Sequence, residues 1–166
     1  LRRRPGYAGF GRIYLFCLLG YASHGLLDAC TTYGTMLFWP FSDARIAWNT
    51  ISIIDPLFTL PLLFDVVLAA RRNRPLFARI GLLWACSYMA LGLWQRNGAE
   101  DMGHALAASR GHEPLRLEAK PSFGNLLLWK VVYETPDRYY VDAVRVGLTK
   151  KLYPGDSVDK LDVVHR

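Results

Sequence analysis

Residues 13–30 of the chain read IYLFCLLGYASHGLLDAC, an apolar run that contains His24 and Asp28. At 1.5 Å per residue these 18 residues form a helix about 27 Å long, close to the thickness of a bilayer core. Two further apolar stretches follow, at residues 46–70 and 76–94. The pattern predicts a membrane α-helical protein with about three transmembrane helices. A soluble bundle of buried helices is the alternative.

The basic residues are concentrated beside these apolar stretches. Residues 1–97 contain ten Arg against four Asp, a net charge of +6, whereas residues 98–166 contain ten basic and ten acidic residues. Arg at the ends of membrane segments marks the cytoplasmic side. We therefore expect the Arg clusters at residues 2–12 and 71–79 to be cytoplasmic. The same distribution argues against nucleic acid as a partner, because a nucleic-acid binder carries its basic patch on a soluble face.

The composition changes after Asn97. We divide the chain into a transmembrane domain, residues 1–97, which carries the predicted metal site, and an external soluble α+β region, residues 98–166. In the second region, residues 98–112 predict a surface helix. Two Val- and Tyr-rich segments flank Thr135-Pro136-Asp137, a pattern typical of a β-hairpin. The tail from Leu148 contains Pro154-Gly155 and predicts turn and loop.

Three ionisable residues lie inside the predicted membrane spans. His24 and Asp28 are four residues apart and so share one face of a helix, while Asp55 lies in the second apolar stretch. From the helix rise, all three fall in the outer half of the bilayer. Imidazole with carboxylates suits a divalent metal ion such as Zn²⁺ or Mn²⁺. Alternatively, His24 and Asp28 hydrogen-bond each other or neighbouring helices, and Asp55 caps a kink at Pro56.

The segments around these residues carry a longer ordered motif. It consists of HGLLDACTTYGT at residues 24–35, PFSDAR at residues 40–45, Trp48, and IIDP at residues 53–56. This set resembles the bacterial membrane-bound metal-dependent hydrolases, also described as LexA-regulated inner-membrane hydrolases. The resemblance covers about residues 20–60 closely and extends loosely to the hairpin.

The resemblance implies a multi-pass protein of the bacterial inner membrane whose metal is held by His24, Asp28 and Asp55. It also marks the motif neighbours near the site, which are Thr32, Tyr33, Gly34, Ser42 and Arg45. Members of that family usually carry an earlier Asp-containing membrane segment and a further His-rich motif, and neither is found here. Two alternatives follow: either the chain, which begins at Leu1, is a piece of a longer protein, or its ligand set is incomplete.

Arg45 is the candidate catalytic residue on separate physical grounds. It is the one basic residue in a nearly uncharged outer loop, and a guanidinium binds phosphate or carboxylate through two parallel hydrogen bonds. Near a metal it would hold an anionic substrate group. The alternative is a rim residue that pairs with Asp43 or with lipid headgroups.

We therefore expect a metal-dependent hydrolase at the outer interface of the inner membrane, acting on a lipid or lipid-linked ester or phosphoester. Membrane lipid is the expected partner. The rival interpretation is a non-catalytic membrane protein, either a transporter fragment or an assembly factor, in which the buried His and Asp form an ion path.

Overall fold

The computed structural model describes residues 9–147 and 149–161. The elements are α1 (Phe10–Ala29), α2 (Pro56–Arg72), α3 (Pro75–Ser109), β1 (Arg116–Pro121), β2 (Leu128–Glu134), β3 (Arg138–Arg145) and β4 (Lys151–Asp159). They form two compact units, Leu1–Trp48 and Asn49–Arg166. Arg2, Arg3 and Arg4, expected to be cytoplasmic, lie outside the described residues.

The prediction of about three transmembrane helices is wrong. Of the helices in the described part of the chain, α3 alone is both long and apolar enough to cross a membrane. Helix α1 has 20 residues, but Arg12, His24 and Asp28 lower its mean hydropathy. Helix α2 has only 17 residues, about 26 Å of rise, although the apolar stretch that contains it is longer.

Helix α2 is shorter than the apolar stretch that contains it because Asp55 and Pro56 fix its start within that stretch. The Asp55 carboxylate caps it by accepting hydrogen bonds from the backbone N–H groups of Leu57 (3.1 Å) and Phe58 (3.3 Å). Pro56 occupies the first helical position, where its missing N–H costs nothing. The helix ends at Asn73, which is in the left-handed region with φ 51°. Residues 46–54 therefore lie outside the helix.

Helix α3 is longer than predicted. Its 35 residues unite the apolar stretch 76–94 with the polar segment that predicts a separate surface helix, and it passes without a break through residue 97. Its N-terminal part packs against α2, and its C-terminal part packs against β1, β2 and β3. One helix therefore joins the apolar hairpin α2–α3 to the sheet.

The four strands form one antiparallel sheet in the order β1-β2-β3-β4. The predicted hairpin is confirmed: β2 and β3 pair directly on either side of residues 135–137. The prediction of turn and loop for the tail is wrong, because β4 occupies that region. Its pairing with β3 shifts register between Val141 and Ala143, where the Gly155 N–H donates to Asp142 Oδ1 (2.8 Å). This irregularity accommodates Pro154-Gly155 within a strand.

The core between the sheet and α3 pairs large strand residues with small helix residues. Trp129, Val131 and Val144 are completely buried on the sheet. The buried residues of α3 in this region recur every three or four positions and are Gly92, Gln95, Ala99, Gly103 and Ala107. A Cβ on Gly103 would lie 2.6 Å from Val131 Cγ1, so only glycine permits this close approach.

An ion pair between Arg110 and Asp142 holds the C-terminal end of α3 on the sheet. Arg110 donates from Nη1 and Nη2 to the two oxygens of the buried Asp142, both at 2.8 Å, and from Nη1 to Tyr133 Oη (2.9 Å). These hydrogen bonds, to Asp142 above all, raise the pKa of the Arg110 guanidinium. His112, expected at the surface, is half-buried with Nδ1 3.0 Å from Tyr133 Oη.

Gly92→Ala should destabilise the protein by about 1–3 kcal/mol, because overpacking forces backbone or side chains to shift. A Cβ at this position would overlap the carbonyl oxygen of Thr50, a backbone atom that cannot swing aside. Gly20→Ala, in the open exposed middle of α1, is the matched control and should leave stability unchanged or slightly raised. Thermal unfolding in detergent micelles, followed by circular dichroism, measures both. Equal melting temperatures for the two variants would contradict the packing described here.

Candidate functional site

The first unit contains an open groove of about 510 Å³ between the C-terminal half of α1 and the loop that follows it. His24 and Asp28, two of the predicted metal ligands, line it from the helix. The remaining lining is mixed polar and apolar and includes Tyr21, Thr35, Leu37 and Trp39. The groove therefore offers two potential ligands beside a surface that suits an amphipathic molecule.

The loop is held against its own beginning by a short pair of hydrogen bonds. Thr35 and Ile46 form an antiparallel bridge, with N···O distances of 2.9 and 2.8 Å. Gly34 precedes this bridge with φ +63°, and a Cβ there would collide with the Ile46 carbonyl. Glycine is thus required on steric grounds at this motif position. The turn places Thr35 in the wall of the groove.

His24 and Asp28 are spaced as ligands of one metal ion would be. His24 Nε2 lies 3.5 Å from Asp28 Oδ2, and the two side chains are 73% and 48% exposed. Two ligands bound at 2.0–2.2 Å to a tetrahedral zinc ion lie about 3.3–3.6 Å apart. The separation of the two atoms is therefore compatible with a single zinc-sized ion. The same distance also describes the direct ion pair of the alternative interpretation.

Asp55, the third predicted ligand, lies in the second unit and is occupied by other contacts. Its side chain is buried, Oδ1 caps α2, and Oδ2 accepts a hydrogen bond from Tyr88 Oη at 2.7 Å. Tyr88 in turn packs against Phe58 and Trp84. Asp55 therefore caps the chain at Pro56 as the alternative held, but at the start of α2 rather than at a kink within a longer helix. The partner Tyr88 was not anticipated from the sequence. In the sequence, Tyr88 is marked only by its single polar group within an apolar stretch, which does not predict a partner.

Within either unit, the described residues bring no three His, Cys, Asp or Glu side chains together as a metal site. The structure thus juxtaposes His24 and Asp28, while the role of Asp55 as a third ligand stays a prediction. Tyr21 was also missed, although its spacing of three from His24 places it on the same helical face.

Arg45 stabilises the loop rather than pairing with Asp43. Its Nη1 donates to the carbonyl oxygen of Tyr33 at 3.1 Å, and the residue is exposed outside the groove lining. Ser42 Oγ accepts from the Ala44 N–H at 3.2 Å and so shapes the turn before Arg45. Thr32 is half-buried, next to the exposed Tyr33. The anion-binding role of Arg45 stays a prediction.

Tyr88→Phe should destabilise the protein by about 1.5–3 kcal/mol, because it removes a hydrogen bond to a buried carboxylate and leaves Asp55 Oδ2 without that donor. Tyr14→Phe, at an exposed position of α1, removes the same hydroxyl without this consequence and serves as the control. Urea unfolding in detergent micelles compares the two variants. If Tyr88→Phe unfolds at the same urea concentration as Tyr14→Phe, the bond to Asp55 contributes nothing to stability.

Comparison with known proteins places the whole region just described in one family. The model of the YdjM inner membrane protein family matches residues 3–99, more than half of the chain, and this match includes His24, Asp28 and Asp55. No curated protein and no solved structure gave a significant match. The inner-membrane character implied by the resemblance is confirmed, whereas the match carries no information on hydrolysis or metal binding. The chain belongs to the YdjM inner membrane protein family.

Proposed function

We propose that this inner-membrane protein is a metal-dependent hydrolase that acts at the outer membrane interface on a lipid or lipid-linked ester or phosphoester. The observation that carries the proposal is the 3.5 Å separation of His24 Nε2 and Asp28 Oδ2 in an open groove. This spacing is what one tetrahedral metal ion requires of two neighbouring ligands.

The donor set determines which ion the groove would take. One imidazole and one carboxylate suit Zn²⁺ or Mn²⁺, and a catalytic zinc site needs a third protein ligand, for which Asp55 is the candidate. When bound, such a metal lowers the pKa of its water and polarises the ester or phosphoester oxygen. Asp28 would add negative charge that balances the ion, and His24 would bind through Nε2.

The rest of the groove and its loop would position the substrate. Leu37 and Trp39 supply apolar surface beside the ligand pair, as a lipid-linked substrate requires. Arg45 uses Nη1 on the Tyr33 carbonyl, so the other N–H groups of its guanidinium could hold an anionic substrate group. In this arrangement Arg45 would orient the anion while the ligand pair faces the scissile bond.

A non-catalytic membrane protein is the second candidate, and one observation favours it. Both oxygens of Asp55 already accept hydrogen bonds from α2 and from Tyr88, which is a sufficient structural reason for a buried carboxylate. His24 and Asp28 would then form only an exposed ion pair, a contact that contributes little to stability. Retention of a metal ion by the purified protein separates the two candidates.

His24→Ala and Asp28→Ala should each abolish bound Zn or Mn and ester hydrolysis, because each removes one of the two ligands proposed here. Asp43→Asn, an exposed carboxylate in the same loop, is the control and should keep the metal. Metal content of the detergent-purified protein is measured by mass spectrometry alongside turnover of a lipid ester. Retention of the metal by both alanine variants, or its absence from the unaltered protein, would contradict the proposal.

Asp55→Asn tests the third ligand without destroying the fold. Asn is as good a helix N-cap as Asp, and its oxygen can still accept from α2, so the helix start should persist. Loss of metal in a variant that remains folded by circular dichroism would assign Asp55 to the metal. Full metal content in the same variant would restrict Asp55 to its capping role.

A further inference from the structure

The face of the sheet that points away from α3 carries a cluster of basic residues. Lys120 of β1 lies directly opposite Lys130 of β2, and Arg145 of β3 lies directly opposite Lys151 of β4. Arg145 also lies opposite Leu128, two residues from Lys130, so all four basic residues lie on one face of neighbouring strands. They form what we call the basic face.

The basic face destabilises the sheet unless an anionic partner neutralises its charges. Like charges directly opposite on antiparallel strands repel each other and are destabilising. Lys120 is relieved by Glu118 at 3.3 Å, and Lys151 lies 5.1 Å from the centre of the Tyr153 ring. Within the described part of the chain, no carboxylate lies within ion-pair distance of Lys130 or Arg145. An anionic partner would remove the repulsion.

The charges of the sheet are also sorted along its strands. Residues 122–131 and 143–152, at one end, contain Lys130, Arg145, Lys150 and Lys151 and no Asp or Glu. The acidic residues of the strands and their turns lie elsewhere, and two of those at the opposite end are bound to basic neighbours, in the pairs Arg138–Asp159 and Lys160–Glu134. The basic face is therefore confined to one end.

That end is the one nearest the apolar part of α3. The side-chain amide of Gln95, oriented so that its nitrogen donates, reaches the carbonyl oxygens of Leu126 (3.1 Å) and Val146 (2.9 Å). Gln95 immediately follows Trp94, where the apolar stretch of α3 ends. Near the point where Gln95 contacts the sheet, Trp94, Phe123 and Leu127 are 69%, 73% and 49% exposed. Exposed aromatic and apolar side chains at this position are typical of a membrane interface.

We propose that this end of the sheet docks on the anionic lipid headgroups of the membrane that α3 crosses. Trp94, Phe123 and Leu127 enter the interfacial layer, and the basic face binds lipid phosphates. Along β3, Arg145 lies one residue, about 3.4 Å, from Val146, and Lys130 of β2 lies about 7 Å farther from the level of Val146 than Arg145 does. The distances of Arg145 and Lys130 from that level are within or near the Debye length of about 8–10 Å at physiological salt, so both charges act on the lipid surface.

The test uses the full chain, with its three Cys replaced by Ala, reconstituted in vesicles. Leu127→Cys carries a polarity-sensitive fluorophore. We expect a blue-shifted emission in vesicles of three parts phosphatidylcholine to one part phosphatidylglycerol, compared with phosphatidylcholine alone. The combined variant Lys130→Gln, Arg145→Gln, Lys151→Gln should lose this shift. Each cation near an anionic surface contributes about fivefold, so removing three should weaken docking by roughly a hundredfold.

The matched control removes the same charge from the other end of the sheet. Arg116→Gln, Arg138→Gln and Lys160→Gln together lower the net charge equally and should keep the blue shift. The unaltered basic face in 1 M NaCl, where the Debye length is about 3 Å, should lose it and requires no variant to fold. Identical emission in both vesicles, insensitivity to salt, or equal loss in the two triple variants would overturn the proposal.

Discussion

The carboxylate of Asp55 determines how the second unit begins. One oxygen accepts the two backbone N–H groups that start α2, and the other accepts the hydroxyl of Tyr88 from the middle of α3. A buried carboxylate is stable only when its oxygens are satisfied in this way. The same group therefore defines the start of α2 and fixes its position against α3. Because α2 begins here, the apolar stretch before it folds as loop and α2 has only 17 residues, so that in the described part of the chain α3 alone is both long and apolar enough to cross a membrane.

Helix α3 then combines two environments in one element. Its N-terminal part is apolar and packs against the short α2. Its C-terminal part packs against the sheet through small residues, and the ion pair of Arg110 with the buried Asp142 holds it there. The apolar segment that is long enough to cross a membrane and the support of the sheet are thus parts of a single helix. Such continuity holds the basic end of the sheet at a fixed height above the apolar stretch, which is what the proposed lipid docking requires.

Local patterns predicted those features of the fold and site that depend on neighbouring residues. The turn at Thr135-Pro136-Asp137 predicted the hairpin, and the four-residue spacing of His24 and Asp28 predicted that they meet. Hydropathy alone overestimated the spans, because the Asp55-Pro56 pair is a helix-start signal inside an apolar stretch. Strand β4 was missed because Pro154-Gly155 is typical of a turn, and its irregular pairing depends on Asp142. The partners of Tyr88 and Arg45 are distant in sequence and leave no local pattern.

The proposals made above require that α3 crosses the inner membrane and that the sheet lies on its outer side. Cysteine labelling in intact cells tests it most directly, with Arg74→Cys just before α3 and Asp137→Cys in the hairpin turn, in a chain whose native Cys are replaced by Ala. We expect an impermeant maleimide to label position 137 in intact cells and position 74 only after permeabilisation. Labelling of both positions in intact cells would show that α3 does not cross, and labelling of 74 alone would reverse the orientation and contradict an outer site.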